Sequence, residues 1–195
     1  MDSLALTFSS GWASGVNAYL VVLVLGIADR IGDFTQIPDA LGTWPVLLVA
    51  AALYATEFVA DKIPYVDSTW DAISTAIRPT VAAVVGVLLA GDASSLDQAV
   101  NGVVGGGTAL LSHLTKAGSR LAINASPEPF SNIIASLTED TAVLAVVAFA
   151  IHHPHAAAAV AAVLLVGGLV VLYLLAKVVR RGWRRWKGKD RAVPA

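Results

Sequence analysis

The stretch that decides the fold is AAAAVAAVLLVGGLVVLYLLA, residues 156–176, which contains no charged side chain. A helix of that length rises about 1.5 Å per residue and therefore spans the roughly 30 Å hydrocarbon core of a bilayer. Eight basic residues follow it closely: Lys177, Arg180, Arg181, Arg184, Arg185, Lys187, Lys189 and Arg191. Because basic residues accumulate on the cytoplasmic side, this segment predicts a membrane-spanning helix with a cytoplasmic C-terminus.

The whole chain has the composition of a membrane protein. Hydrophobic residues make up 56% and charged residues only 14%, whereas soluble domains carry roughly 25% charged residues. The absence of cysteine excludes disulfides, thiolate metal sites and cysteine nucleophiles. Residues 1–10 contain Asp2 but no Lys or Arg, so they lack the basic start of a signal peptide, and the first apolar segment is expected to be retained.

Threading the chain through a membrane predicts six spans. They lie near residues 11–28, 45–62, 72–91, 97–118, 131–151 and 155–178. This arrangement puts every Lys and Arg except Arg30 on the cytoplasmic side, while Asp29, Asp33, Asp39, Asp92 and Asp97 fall outside. The predicted fold is an all-α polytopic membrane bundle over residues 1–178, followed by a basic cytoplasmic tail over residues 179–195.

Tryptophans support this placement. Trp12 and Trp44 fall at the starts of spans one and two, where an aromatic belt is expected. Trp183 and Trp186 lie among the basic residues of the tail. Indole rings and basic side chains together favour anionic lipid headgroups, so we expect the tail to bind lipid and not nucleic acid.

Spans three and five are abnormally short. Their apolar runs, residues 81–90 and 142–151, would cover only about half of the hydrocarbon thickness. Polar stretches precede both runs, so either these stretches are buried against protein or the segments are re-entrant. A four-span alternative with two re-entrant segments would move Lys116 and Arg120 outside, and the six-span arrangement is therefore favoured.

The chain also suggests a tandem helical-hairpin repeat. Residues 53–62 align with residues 111–120, and each helix ends in Lys or Arg before a proline-bearing loop. A short span with an ionisable residue near its start follows in both units, which places Arg78 opposite Glu139. Interrupted segments at matching positions of two repeats indicate a transporter site, although chance similarity between apolar hairpins is the alternative.

Ionisable residues inside the predicted spans are the candidate site residues, because such groups are costly in a membrane unless paired or hydrated. With Asn17, whose buried amide needs a partner, they form a predicted substrate or ion pathway: Asn17, Glu57, Asp61, Lys62, Asp71, Arg78, His113, Lys116, Arg120, Glu139 and Asp140. Arg78 and Glu139 are expected to form an ion pair across the repeat axis, or else to pair within their own hairpins. His113 could carry a proton near neutral pH, or serve only as a hydrogen-bond partner between helices. Asp61 and Lys62 could simply lie at the membrane interface.

Glycine pairs at GxxxG spacing, Gly11 with Gly15 and Gly102 with Gly106, predict close helix packing and self-association into a homo-oligomer. No catalytic motif appears in the chain, and His152, His153 and His155 only flank Pro154 in a loop. We therefore predict no enzymatic activity, no cofactor and no metal site.

Three motifs carry a resemblance to a known family. They are SGVNAYL at residues 14–20, Glu57-x-x-x-Asp61-Lys62-Ile63-Pro64-x-Val66-Asp67-x-x-x-Asp71, and Arg78-Pro79. Over roughly residues 8–152 the chain resembles the bacterial integral membrane proteins catalogued as domain of unknown function 4126. The resemblance implies a multi-pass protein of the bacterial plasma membrane, and it implies no activity.

Two functions are open from the sequence. The first is a small transporter or channel for an anionic or zwitterionic small molecule or a lipid headgroup, with its site between the hairpins. The second is a non-transporting scaffold, in which paired charges fix the helix register and small-residue faces bind another membrane protein.

Overall fold

The computed structural model describes residues 2–32, 34–125 and 129–189, and no strand occurs in these ranges. Six α-helices follow one another in this described part of the chain: α1 (Asp2–Ile31), α2 (Trp44–Ala60), α3 (Val66–Leu89), α4 (Ser95–Asn124), α5 (Pro129–His152) and α6 (Pro154–Lys189). By length and composition, α1, α3, α5 and α6 are apolar enough to cross a bilayer. The predicted all-α membrane bundle is confirmed.

Helix α1 is broken at Asn17. This residue has φ −153° and ψ 95°, an extended conformation inside an otherwise helical segment. Its side-chain oxygen accepts a hydrogen bond from the backbone N–H of Leu20 at 3.0 Å. That bond is the N-cap of a new helix, because the extended capping residue satisfies one of the free N–H groups of the first turn. Residues 2–16 therefore form a first half-helix and residues 18–31 a second one.

The two half-helices turn back on each other, so both ends of α1 lie at the same end of the bundle. The Oδ1 atom of Asp2 lies 3.5 Å from Nδ1 of His155 at the start of α6. Gln36 donates a hydrogen bond to the carbonyl of Ile151 at the end of α5. A straight helix of 30 residues would be about 45 Å long. The five residues from Ile31 to Gln36 reach at most about 18 Å, too short to bring Gln36 back beside Asp2. Helix α1 is thus a re-entrant hairpin.

This geometry corrects the sequence-based assignment of the broken segments. The structure shows α3 and α5 as continuous helices of 24 residues each, so neither is short or re-entrant. The polar face of each first half, with Asp71 and Arg78 in α3 and Asn132 and Asp140 in α5, is buried against other helices, which is why counting apolar residues underestimated their length. The predicted crossing near residues 11–28 is wrong, because the break at Asn17 turns α1 back within the bundle.

Helix α1 occupies the centre of the bundle and contacts each of the other five helices. Its glycines allow the close approach: a Cβ atom on Gly11 would lie 2.8 Å from the carbonyl oxygen of Gly105 on α4. Gly86 of α3 faces the backbone of Asn101 on α4 in the same way, and Gly106 faces Pro79. These glycine faces are used within the chain, so they do not support the predicted self-association.

The predicted hairpins, α2 with α3 and α4 with α5, are connected as expected but are not packed units. Within each hairpin the two helices contact each other little, whereas α3 packs extensively on α4 and α1 fills the space between. An apolar core lies at the end that holds the termini of α1, with Val21, Leu25 and Val147 fully buried. The polar side chains are gathered further along the bundle.

The C-terminal helix α6 continues past the predicted boundary at residue 178 and ends at Lys189. Lys177, Arg180, Arg181 and Arg184 are exposed along it. Arg191, and the predicted loop residues Asp33, Ser126 and Pro127, lie outside the described residues. The lipid contact of the tail stays a prediction.

Candidate functional site

The sequence-predicted ionisable residues converge in the interior of the bundle. Nine charged side chains from four helices and one turn form what we call the buried charge network: Glu57, Asp61, Asp67, Asp71, Arg78, Lys116, Arg120, Glu139 and Asp140. Arg78, Arg120 and Glu57 are completely buried. Charges at such depth persist only when they are paired and hydrogen-bonded, and the contacts below show how far this is achieved.

Arg78 of α3 binds its own hairpin and the broken helix. Its Nη2 lies 2.9 Å from Glu57 Oε1 on α2 and 3.1 Å from Asp71 Oδ1, about two helical turns earlier in α3. Its Nη1 donates to the carbonyl oxygen of Gly15 at 3.2 Å, at the end of the first half-helix. The predicted ion pair between Arg78 and Glu139 is therefore wrong, and the alternative of pairing within each hairpin is what the structure shows.

His113 is held neutral by Arg78. The two residues are joined by a 2.8 Å hydrogen bond between Arg78 Nη1 and His113 Nδ1. A guanidinium group only donates, so Nδ1 must be the accepting nitrogen and carries no proton. The other ring nitrogen then donates to Thr75 Oγ1 at 3.0 Å, and Thr75 donates to the carbonyl of Asp71. This arrangement favours the prediction of an interhelical hydrogen-bond partner over that of a proton carrier.

Lys116 of α4 is the cation with the most carboxylate neighbours. Its Nζ lies 2.6 Å from Asp61 Oδ2, 3.5 Å from Glu57 Oε1 and 3.7 Å from Glu139 Oε2. It also donates to the carbonyl oxygen of Val16 at 3.1 Å. The ammonium group thus links α2, α4 and α5 to the last carbonyl before the break in α1.

Arg120 lies one turn further along α4 and binds Glu139 with two nitrogens, Nε and Nη2. Its Nη1 donates to the carbonyl oxygens of Asp61 at 3.0 Å and of Asn132 at 3.2 Å. This bidentate pair is the geometry in which an arginine and a carboxylate interact most strongly. Glu139 is the partly exposed member of the pair, with 21% of its side chain accessible.

Asn17 connects the break in α1 to α5. Its Nδ2 donates to Asp140 Oδ1 at 3.0 Å, so one amide side chain caps a half-helix and binds a carboxyl group at once. Asp140 is 7% exposed. Its second oxygen, Oδ2, is buried and has no hydrogen-bond partner among the described residues.

Lys62 lies at the edge of the network, in the turn between α2 and α3. Its Nζ donates to the carbonyl oxygen of Phe58 at 2.8 Å and lies 3.3 Å from Ser136 Oγ on α5. Burial lowers the pKa of Lys62, while the nearby carboxylates of Asp140 and Asp61 act in the opposite direction. Of the eleven predicted site residues, Lys62 is the one placed at the rim.

Sequence reasoning missed a cluster of three polar side chains next to Arg120, formed by Asp67, Asn124 and Asn132. Asp67 is completely buried and accepts two hydrogen bonds from Asn124 Nδ2, at 2.8 and 3.1 Å. Asn132 donates to Asn124 Oδ1 at 3.0 Å and extends the chain of contacts to α5. The spacing of four between Asp67 and Asp71 was the available signal, because it places both carboxylates on one face of α3.

A cavity of about 160 Å³ reaches the network between α1, α4, α5 and α6. Lys116 and Glu139 supply opposite charges to its wall, and the remaining lining residues are Trp12, Val16, Ser112, Thr115, Ser119, Leu164 and Leu165. Trp12 is 8% exposed, so its predicted place in the aromatic belt is wrong. Trp44 is 61% exposed and stacks under Arg30, with 4.4 Å between the guanidinium carbon and the ring centroid.

Together the fold and the site define a class: an integral membrane helix bundle with a re-entrant, broken helix at its centre and a buried charge network around the break. The chain belongs to the family described as Domain of unknown function (DUF4126), whose model matches residues 4–174. No curated protein and no solved structure matches the chain. The family assignment made from the three sequence motifs is confirmed.

Proposed function

We propose that this protein is a small transporter of the bacterial plasma membrane, with its C-terminus in the cytoplasm, that moves a small zwitterionic or anionic molecule. The observation that carries the proposal is the break in α1 at Asn17, which lies where Arg78, Lys116 and Asp140 meet. Non-helical backbone at membrane depth is tolerated where it is buried in protein or lines a cavity. Discontinuous helices of this kind form the substrate and ion sites of many transporters.

The cavity beside the break supports the choice of substrate class. Lys116 offers a cation and Glu139 a carboxylate on the same wall, with the hydroxyl groups of Ser112, Thr115 and Ser119 between apolar neighbours. A volume of about 160 Å³ is that of a few water molecules, since each occupies roughly 30 Å³ in the liquid. A small molecule with a negative and a positive group fits both the charges and the size.

The proposal is tested with the purified full chain in liposomes, using labelled alanine, proline, succinate, phosphate and phosphocholine as probes. We expect uptake of at least one probe and its loss in Lys116→Met and in Glu139→Gln, each checked for folding. Lys177→Met, which removes an exposed cation on α6, is the matched control and should transport normally. A folded wild-type protein that takes up none of the probes, or uptake that survives both cavity substitutions, contradicts the proposal.

The scaffold hypothesis makes the opposite prediction for purification. A non-transporting module would copurify with one membrane protein in fixed ratio, and its charges would serve helix register alone. The packing of Gly11, Gly86 and Gly106 against other helices of the same chain weakens the argument from small-residue faces on which this hypothesis rested. Transport is therefore the better supported function.

A further inference from the structure

The buried charge network contains more carboxyl groups than cations. Its cations are Arg78, Lys116 and Arg120, and its carboxyl groups are Glu57, Asp61, Asp67, Asp71, Glu139 and Asp140. His113 adds no charge, because it accepts a hydrogen bond from Arg78. Burying uncompensated carboxylates is costly, so protons must neutralise part of the excess.

Hydrogen bonding separates the ionised carboxylates from the candidate acid. Glu139 and Glu57 accept bonds from arginine, and Asp61 accepts one from Lys116. Asp67 accepts from Asn124 and from the backbone N–H of Ser68. A cationic donor, or several N–H donors on one carboxyl group, favours the ionised form.

Asp71 and Asp140 have the fewest hydrogen bonds, and only Asp71 lies within 4 Å of a cation, whereas Lys62 and Lys116 act on Asp140 from a greater distance. Asp71 Oδ1 is 3.1 Å from Arg78 and 3.9 Å from Lys116. Asp140 forms no ion pair within 4 Å among the described residues; it accepts a hydrogen bond from the neutral amide of Asn17, and the neutral hydroxyl of Tyr54 on α2 also interacts with its carboxyl group. Its Oδ2 is buried and unpartnered, which is the position that a proton would occupy.

The polar and titratable groups near Asp140 can be named for each helix that packs against it. On α1 it meets Asn17, and α6 presents no acidic or basic side chain between His155 and Lys177. From α2, the titratable groups that act on Asp140 are Tyr54 and Glu57. Asp61 and Lys62 act on it from the turn after α2, and Lys116 acts on it from α4. On its own helix, Glu139 is the preceding residue. The two lysines are both engaged with other acceptors.

We propose that Asp140 is the proton-binding residue of this protein. We further propose that its protonation keeps the two half-helices of α1 in the arrangement described at Asn17. The inference rests on the proposed transport function and names its coupling ion. A proton on Oδ2 leaves a neutral carboxyl group that still accepts from Asn17. Loss of that proton creates a carboxylate that attracts Lys116, and Lys116 is the side chain that binds the carbonyl oxygen of Val16. Deprotonation therefore loosens the end of the first half-helix, beside the cavity.

The test uses the full chain in liposomes and needs no substrate. Infrared spectra of the wild type at neutral pH should contain the carbonyl band of a protonated carboxyl group, and this band should weaken in Asp140→Asn. Glu139→Gln is the matched control and should keep the band, because Glu139 accepts two hydrogen bonds from the guanidinium group of Arg120. The protection factor of the peptide covering residues 15–20, which is its exchange rate corrected for the intrinsic base-catalysed rate, should fall by roughly tenfold as the pH rises in the wild type, and stay constant in Asp140→Asn.

Each outcome decides the proposal. A wild-type spectrum without the band overturns it even if Asp140→Asn does not fold. Protection factors that fall equally with pH in the wild type and in folded Asp140→Asn also overturn it. If the band and the exchange behave as expected but no probe is transported, proton binding stands and the transport proposal alone fails.

Discussion

Lys116 donates a hydrogen bond to the carbonyl oxygen of Val16, 100 residues earlier in the chain, at 3.1 Å. Val16 is the last residue of the first half-helix, where the carbonyl groups have no helical partner. The negative end of a helix dipole favours a cation at this place. The break in α1 and the burial of Lys116 therefore depend on each other. The break exposes the carbonyl oxygen that the buried ammonium group needs, and the ammonium group supplies the donor that this carbonyl lacks.

Replacing Lys116 by methionine should destabilise the protein by about 3–5 kcal/mol, because the carboxylates of Glu57 and Asp61 lose a buried counter-ion. Denaturant unfolding in detergent measures the change. Lys177→Met removes an exposed lysine near Tyr173 and should leave the unfolding free energy unchanged. Equal stability of the two variants would show that the network does not depend on Lys116.

Gly15→Ala should destabilise the bundle by about 1–3 kcal/mol through overpacking. A Cβ atom there would collide with the carbonyl oxygen of Ala109 and the backbone nitrogen of His113, neither of which can move aside alone. Gly107→Ala is the control, because nothing lies within 4 Å of a Cβ at that position. If both variants unfold alike, α1 does not pack on α4 as described.

Substitutions of Asn17 should lower the stability by amounts that depend on which of its two side-chain hydrogen bonds, to Leu20 or to Asp140, the new side chain keeps. Serine can still cap Leu20 but cannot donate to Asp140 as the amide does, so Asn17→Ser should fall between the wild type and Asn17→Ala in stability. Loss of the cap alone costs about 1 kcal/mol. Above the pH at which Asp140 loses its proton, Asn17→Asp should be the least stable, since it then sets a second carboxylate against that of Asp140. Thermal unfolding that ranks the aspartate variant above alanine would refute the described contact.

The chain contains no cysteine, so single cysteines can report the topology. Ser3→Cys and Asp92→Cys should react with a membrane-impermeant reagent from the same side, because both ends of α1 lie near the start of α6. Ile63→Cys and Arg181→Cys should react from the other side. Labelling of Ser3→Cys together with Arg181→Cys would mean that α1 crosses the membrane after all.

The candidate site shows how far sequence reasoning reaches. Arg78, Lys116 and Glu57 could be identified from the sequence because a charge in an apolar helix has few explanations other than a partner in the bundle. Their partners could not be assigned, since Arg78 and Glu139 were matched by repeat position while the contacts depend on how α1 separates the hairpins. Asp67 belongs to the motif that carries the family resemblance but was not predicted as a site residue, because a carboxylate that follows a loop is ordinarily exposed.

The amino-acid sequence by itself determined that this is an all-helical membrane protein with charges in its interior, because apolar length and the unequal distribution of Lys and Arg act locally along the chain. Only the tertiary structure decided that α1 turns back at Asn17 and that α3 and α5 are continuous. A polar residue inside an apolar segment is compatible with an intact helix or a broken one. The choice at Asn17 depends on Asp140, Arg78 and Lys116, which lie at least 60 residues away in the chain and satisfy the side chain and the freed carbonyl groups at the break.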